Sequence, residues 1–196
     1  ASYPENDPAN NAMAVVENRL LARALEGDRT AVGAFLTMRQ HRHRHLVRID
    51  RGDAAVYEQT AEWVEGTPTY VEVRAGAPLD DLIGRLGTYN RGGRHAAYRR
   101  LYDTGAAQAV LLDRFAPGWQ ARLAESGGAS LQELLRESLN EPLPPVGQVV
   151  VAEGLAAVLE AEEEAEAQRQ DRIAGLLREL EGGPGVLVEI ALPPAV

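Results

Sequence analysis

No cysteine and no lysine occur among the 196 residues, and aromatic side chains make up only 5% of them. The missing cysteines exclude disulfides, thiolate metal sites and cysteine nucleophiles. The missing lysines exclude Schiff-base chemistry and the lysine of a phosphate-binding P-loop. Basic charge is scarce as well: 20 basic residues, all arginine, stand against 29 acidic ones, for a formal net charge of −9. That balance disfavours nucleic acid as a partner, because neutralising phosphates needs a basic face. No apolar run approaches the roughly 20 residues needed to span a bilayer, and no stretch reads as a signal peptide. What remains is 45% hydrophobic and 25% charged, the composition of a globular chain with one domain, or one domain and an appendage.

Periodicity and punctuation divide the chain. Residues 1–11, with two prolines and three asparagines, read as an extended lead-in. Met13, Val16, Leu20, Leu21, Ala24 and Leu25 recur at helical spacing until Gly27-Asp28, and Asp28 is placed to cap a second helix over 29–48. A third helix is expected from Ala54 to Val64 or beyond, a short one near 79–86, another from Tyr98 to Phe115, and two more between 119 and 139, the second capped by Ser130. Glu141-Pro142-Leu143-Pro144-Pro145 is the clearest break and marks an expected subdomain boundary. A long acidic helix near 151–181 follows, stopped by Gly182-Gly183-Pro184-Gly185. Beyond it 186–192 reads as a strand, whose candidate partner within the chain is Val146–Val151. The predicted fold class is α+β, mainly helical, with a helical domain at 12–140 and a helix-strand appendage at 146–196.

The densest chemistry lies between Tyr57 and Glu72. Glu58, Glu62 and Glu65 are spaced i, i+4, i+7, so one helix face would carry all three carboxylates beside Trp63 and Tyr57. Like charges stacked in this way repel. The arrangement persists where the face is solvated, or where a cation or several arginines compensate it.

Trp63-Val64-Glu65-Gly66-Thr67-Pro68-Thr69-Tyr70 resembles the WxxEGxAxY segment of the gluzincin metallopeptidases, the aminopeptidase N and glycyl aminopeptidase group. Leu101-Tyr102-Asp103-Thr104-Gly105-Ala106-Ala107 is similar to the YxKGA segment that follows it there, and the stretch from Val110 to Trp119 resembles the helix and turn beyond. The resemblance covers about residues 54–120. It implies a zincin-like helical half, zinc as cofactor, a peptide substrate, Glu65 as a metal ligand, Tyr102 as the catalytic group that hydrogen-bonds the oxyanion, and Glu62 and Glu58 as carboxylates that orient the site. Pro68 departs from the pattern, since it lacks an amide hydrogen and is expected to kink or end the helix. Thr104 stands where lysine is usual.

The HExxH helix of that group does not occur in this sequence. Zinc hydrolysis needs its two histidines and a glutamate that deprotonates the metal-bound water. His41 and His45, within His41-Arg42-His43-Arg44-His45, have the i, i+4 spacing, and 19 residues intervene between His45 and Glu65, close to the family's own gap. Arg42, however, holds the general-base position and would set a positive charge beside the metal. The expectation for this run is a solvated basic turn, with His41 and His45 as the alternative metal candidates and a pH-sensitive contact surface as a third reading. The HExxH helix is then expected upstream of Ala1, and Glu17 is a further carboxylate that could face it. The sequence thus predicts a fragment or processed form of a gluzincin-like peptidase, inactive alone. The alternative is a non-catalytic peptidase-like subunit with a protein partner in an exported assembly, Ala1 giving a slight lean toward the cell envelope.

Overall fold

The computed structural model describes residues 3–89, 96–126 and 128–183. Among them the chain forms nine α-helices and no strand: α1 (Pro8–Glu26), α2 (Arg29–Arg48), α3 (Gly52–Arg74), α4 (Leu79–Gly87), α5 (Ala96–Phe115), α6 (Trp119–Glu125), α7 (Leu131–Ser138), α8 (Val146–Ala152) and α9 (Leu155–Gly182). None of these helices is long and apolar enough to cross a membrane.

Local chemistry sets the boundaries. The Asp7 carboxylate accepts from the Asn10 amide at 2.6 Å and Pro8 occupies the first turn, so α1 begins inside the expected lead-in. Asn10 and Asn11 are weak helix formers, but their side chains hold the carbonyls of Pro4 and Glu5, which fixes the approach. Gly27, at φ 111°, ends α1 in the left-handed conformation that glycine adopts without strain, and Asp28 caps α2 through the amides of Thr30 and Ala31. Ser130 and Glu133 form a reciprocal capping box at the start of α7.

Of the kink or end expected at Pro68, the end does not occur: α3 runs on to Arg74. Pro68 sits on the exposed side, where water can reach the Val64 carbonyl it leaves unpaired, and the preceding Thr67 hydroxyl donates to the Trp63 carbonyl at 2.5 Å. The candidate strand at Val146–Val151 is also corrected: it is α8, started by Pro145 and closed at Glu153-Gly154, with Gly154 at φ 62°. Val149 from this helix is buried in the main apolar core, which outweighs the β-propensity of the valine run. The strand expected at 186–192 and residues 90–95 lie outside the described residues.

Helices α1, α2, α3 and α5 make a bundle in which α1 and α2, and α2 and α3, run antiparallel. Helix α4 crosses back over α1, so α5 lies parallel to α3. The tightest crossing pairs Gly66 of α3 with Gly105 of α5: a Cβ on Gly66 would come within 2.6 Å of the Gly105 Cα. Two glycines facing each other therefore let these backbones touch. One end of the bundle is apolar, built on Leu20, Leu21, Phe35, Leu36, Leu111, Leu112 and Trp119, with α4, α7 and α8 sealing it. The other end buries charged side chains as well.

Candidate functional site

Six charged side chains meet inside that second end. Glu17 comes from α1, Arg39 and Arg42 from α2, Glu58 and Glu62 from α3, and Arg100 from α5, and none is more than 2% exposed. The helical period explains the convergence: Arg39 and Arg42, like Glu58 and Glu62, are one turn apart and point the same way. Glu17 accepts from Arg39 Nε at 2.7 Å and Arg42 Nε at 2.6 Å. Glu58 accepts from both terminal nitrogens of Arg42 at 2.6 and 2.8 Å, from Arg100 at 2.8 Å, and from the Tyr3 hydroxyl. Glu62 takes a two-pronged contact from Arg39 at 2.9 and 3.0 Å, and accepts from Thr104 at 2.6 Å and Gln108 at 2.9 Å.

Three arginines thus balance three glutamates. Burial alone would raise the carboxyl pKa values, but the guanidinium groups outweigh it and hold Glu17, Glu62 and, furthest of all, Glu58 below the usual range. Burial and the Glu58 carboxylate push the Tyr3 hydroxyl up to about 12. His43, whose Nε2 lies 3.3 Å from Glu58, is lowered by burial first, with Arg42 adding to the effect.

The basic run is therefore divided by its helix. Arg42 is wholly buried, and so is Arg39 just before it, which corrects the expectation of a solvated basic turn; Arg44 alone of the arginines in the run is exposed. His45 Nε2 lies 2.8 Å from Asp7, at the strap leading into α1. His41 is half-buried, its pKa lowered by burial and then by Arg48 and Arg44. Neither histidine shares a recorded contact with Glu58, Glu62 or Glu65.

Glu65 leaves the other two glutamates and points along the α3–α5 seam. The Tyr98 hydroxyl donates to it at 2.5 Å and itself accepts from the Tyr102 hydroxyl; the Glu65 pKa is lowered by Tyr98 first and Tyr102 second. The two tyrosine rings meet edge to face at 5.4 Å, with 3.4 Å between their hydroxyls. Tyr98 and Tyr102 also line an open cavity of about 770 Å³ with Thr69, Glu72, Arg85, Arg99 and Asp103. The structure therefore links the half-buried Glu65 through Tyr98 to Tyr102, which lines the cavity, while Glu58 and Glu62 are inside the bundle.

Sequence reasoning missed Tyr98, Arg39, Arg100, Thr104 and Gln108. Tyr98 was legible as the residue one turn before Tyr102; the arginines were legible only as cations that stacked glutamates require. The described residues do not by themselves fit zinc. No group of three or more His, Cys, Asp or Glu among them is placed to hold a metal ion, and the lone pairs of Glu58 and Glu62 are taken by arginine, threonine, glutamine and tyrosine donors. Comparison of the chain with protein-family models, with curated proteins and with solved structures finds no match.

Proposed function

We propose that the chain is a helical part of a gluzincin-like zinc metallopeptidase, contributing one carboxylate and one hydroxyl to a site whose remaining groups come from a segment outside it. The observation that carries this reading is the hydrogen-bonded line from Glu65 through Tyr98 to Tyr102, both tyrosines lining an open cavity. Glu65 and Tyr102 were singled out separately by the WVEG and LYDTGA segments, 37 positions apart, and the facing glycines Gly66 and Gly105, one from each segment, lock their helices together. In this reading Glu65 is a metal ligand, Tyr102 a donor to the developing oxyanion, and Tyr98 the group that orients both. The Glu17–Arg39–Arg42–Glu58–Glu62–Arg100 network is the frame that holds α3 and α5 in register. The chain alone carries no hydrolytic set.

The test uses the whole gene product. A stoichiometric zinc ion, peptide hydrolysis, and loss of both in Glu65→Gln, with Tyr102→Phe lowering kcat while zinc is retained, are expected. A gene product that has no HExxH helix, or that keeps its zinc in Glu65→Gln, overturns the reading. The second reading, a non-catalytic peptidase-like subunit, is favoured by the complete engagement of Glu17, Glu58 and Glu62 by arginines, which leaves no inner carboxylate free for chemistry. It predicts no zinc and no hydrolysis in the whole product.

A further inference from the structure

Helix α9 is 28 residues long, about 42 Å, and only its first half lies against the body. Leu155 and Val158 pack on the apolar core, and half-buried positions recur through 159, 162, 166 and 169. From residue 170 onward every position is exposed except the half-buried Gly175. The buried stripe nevertheless continues at the same helical spacing into Ile173, Leu176, Leu177 and Leu180, which are 39, 60, 52 and 70% exposed. Four large apolar side chains at i, i+3, i+4 and i+7 form a seam that nothing among the described residues covers.

The charges beside the seam say what fits it. At 3.6 residues per turn, Arg172 and Glu179 lie two turns apart on one flank, and Gln170 and Glu181 lie on the other. Arg172 has Gln168, Arg169, Gly175 and Leu176 at the positions three and four residues away; Glu179 has Gly175, Leu176, Gly182 and Gly183. Neither has an opposite charge to pair with in its own helix, and neither forms an ion pair with any described residue. In an antiparallel helix pair related by a two-fold axis, each flank meets its own copy in reverse order. Centring the apolar seam between Leu176 and Leu177 then brings Arg172 within two residues, about 3 Å along the axis, of the level of Glu179 of the second copy on the shared flank, twice, and Gln170 within two residues of Glu181, also twice. A parallel pair would instead bring the flank of Glu179 against the flank of Glu181.

We propose that the exposed end of α9 is the contact of an antiparallel two-fold dimer, in which a second copy of this chain supplies the same seam. The contact is smaller than the roughly 1,200 Å² of a stable interface, so association is weak and concentration-dependent. The test is sedimentation velocity of the chain from about 10 μM to about 1 mM, a range chosen to bracket weak association. The weight-average sedimentation coefficient is expected to rise with concentration, and Leu176→Glu, on an exposed position that leaves the helical circular dichroism unchanged, to abolish the rise. Arg172→Glu weakens association at least several-fold, and combining it with Glu179→Arg restores it. Oxidation links Leu176→Cys, near the two-fold axis, but not Leu180→Cys, which a parallel pair would link equally well. A monomer at every concentration overturns the proposal, whether the seam is left bare or is covered by a different protein. So does a charge-swapped double variant that associates no better than Arg172→Glu alone.

Discussion

Replacing Glu58 by glutamine removes one of three buried negative charges while keeping the side chain's size. In the native fold its carboxylate accepts from Arg42, Arg100 and Tyr3, with His43 at its edge, and it has no exposed surface. Glutamine retains one acceptor oxygen but leaves three guanidinium groups facing two carboxylates in a space without water. Breaking a buried ion pair from one side costs about 3–5 kcal/mol, because the surviving charge has lost both its solvent and its partner. A domain of this size has about 5–15 kcal/mol in total, and each kcal/mol is worth about 2–4 °C in Tm. Glu58→Gln is therefore expected to lower Tm by about 6–20 °C by that conversion, read by circular dichroism and checked by urea titration at constant m value. Glu163→Gln, at an exposed position of α9, is the control and should stay within about 0.5 kcal/mol. Adding Arg100→Gln should recover part of the loss, giving a favourable coupling in the double-mutant cycle. A loss below about 1 kcal/mol for Glu58→Gln would refute the reasoning, since it would mean that the bundle interior solvates an unpaired arginine about as well as water does.

Acid should unfold the protein from the same cause. The network carboxyls are depressed in the fold, so their contribution is fully present above the unfolded value of 4.5 and is lost as pH falls below it toward the folded values. His43, lowered from 6.5, adds a smaller loss as pH falls through its unfolded value, because the unfolded chain takes up that proton more readily; His43→Gln should flatten stability between pH 7 and pH 5 in urea titrations. Beside the cavity, Tyr98→Phe should raise the Glu65 pKa more than Tyr102→Phe does, read from the carboxyl carbon shift in NMR titrations, and equal effects would contradict the direct donation from Tyr98 and the indirect one from Tyr102. Gly105→Ala should destabilise by about 1–3 kcal/mol through backbone overlap with Glu62 and Gly66, although the same change in an open helix would add about 1 kcal/mol of stability; an unchanged Tm would show that the α3–α5 crossing can spread at no cost.

The helices were legible because their signals are local. The Asp28 cap, the Gly27 stop and the Ser130 cap each act within four residues, and the structure places them where the sequence did. Two readings failed where a distant contact outweighed a local preference. Val146–Val151 has the composition of a strand, yet becomes helical under Pro145 with Val149 drawn into the core. Pro68 carries a break signal, yet its helix is held on both sides of it by Glu62 and by Tyr70, whose hydroxyl donates to Asp113 of α5. The cleft was half legible: Glu65 and Tyr102 came from segment resemblance, but Tyr98 carried no motif. The ionic interior was hidden for a different reason. Helix α3 turns Glu58 and Glu62 inward and leaves Val56, Trp63, Val64 and Val71 exposed, the reverse of the usual amphipathic arrangement, and only the arginines of α2 and α5 make that orientation favourable. Three stacked glutamates announced that something positive was required, without saying from where.

The choice of arginine for every internal cation has a consequence for how the bundle assembles. A buried lysine can shed its proton and wait neutral for a partner, whereas a guanidinium stays ionised at any physiological pH. Arg39 and Arg42 arrive together on α2 and can be quenched only by acids from α1 and α3, while the third acid on those two helices needs Arg100 from α5. By count α2 cancels against α3, and α1 against α5, while every trio of the four helices is left with uncancelled charge. Three-helix intermediates are therefore disfavoured on electrostatic grounds, whereas an α2–α3 hairpin forms with its charges paired before α1 and α5 close on it together.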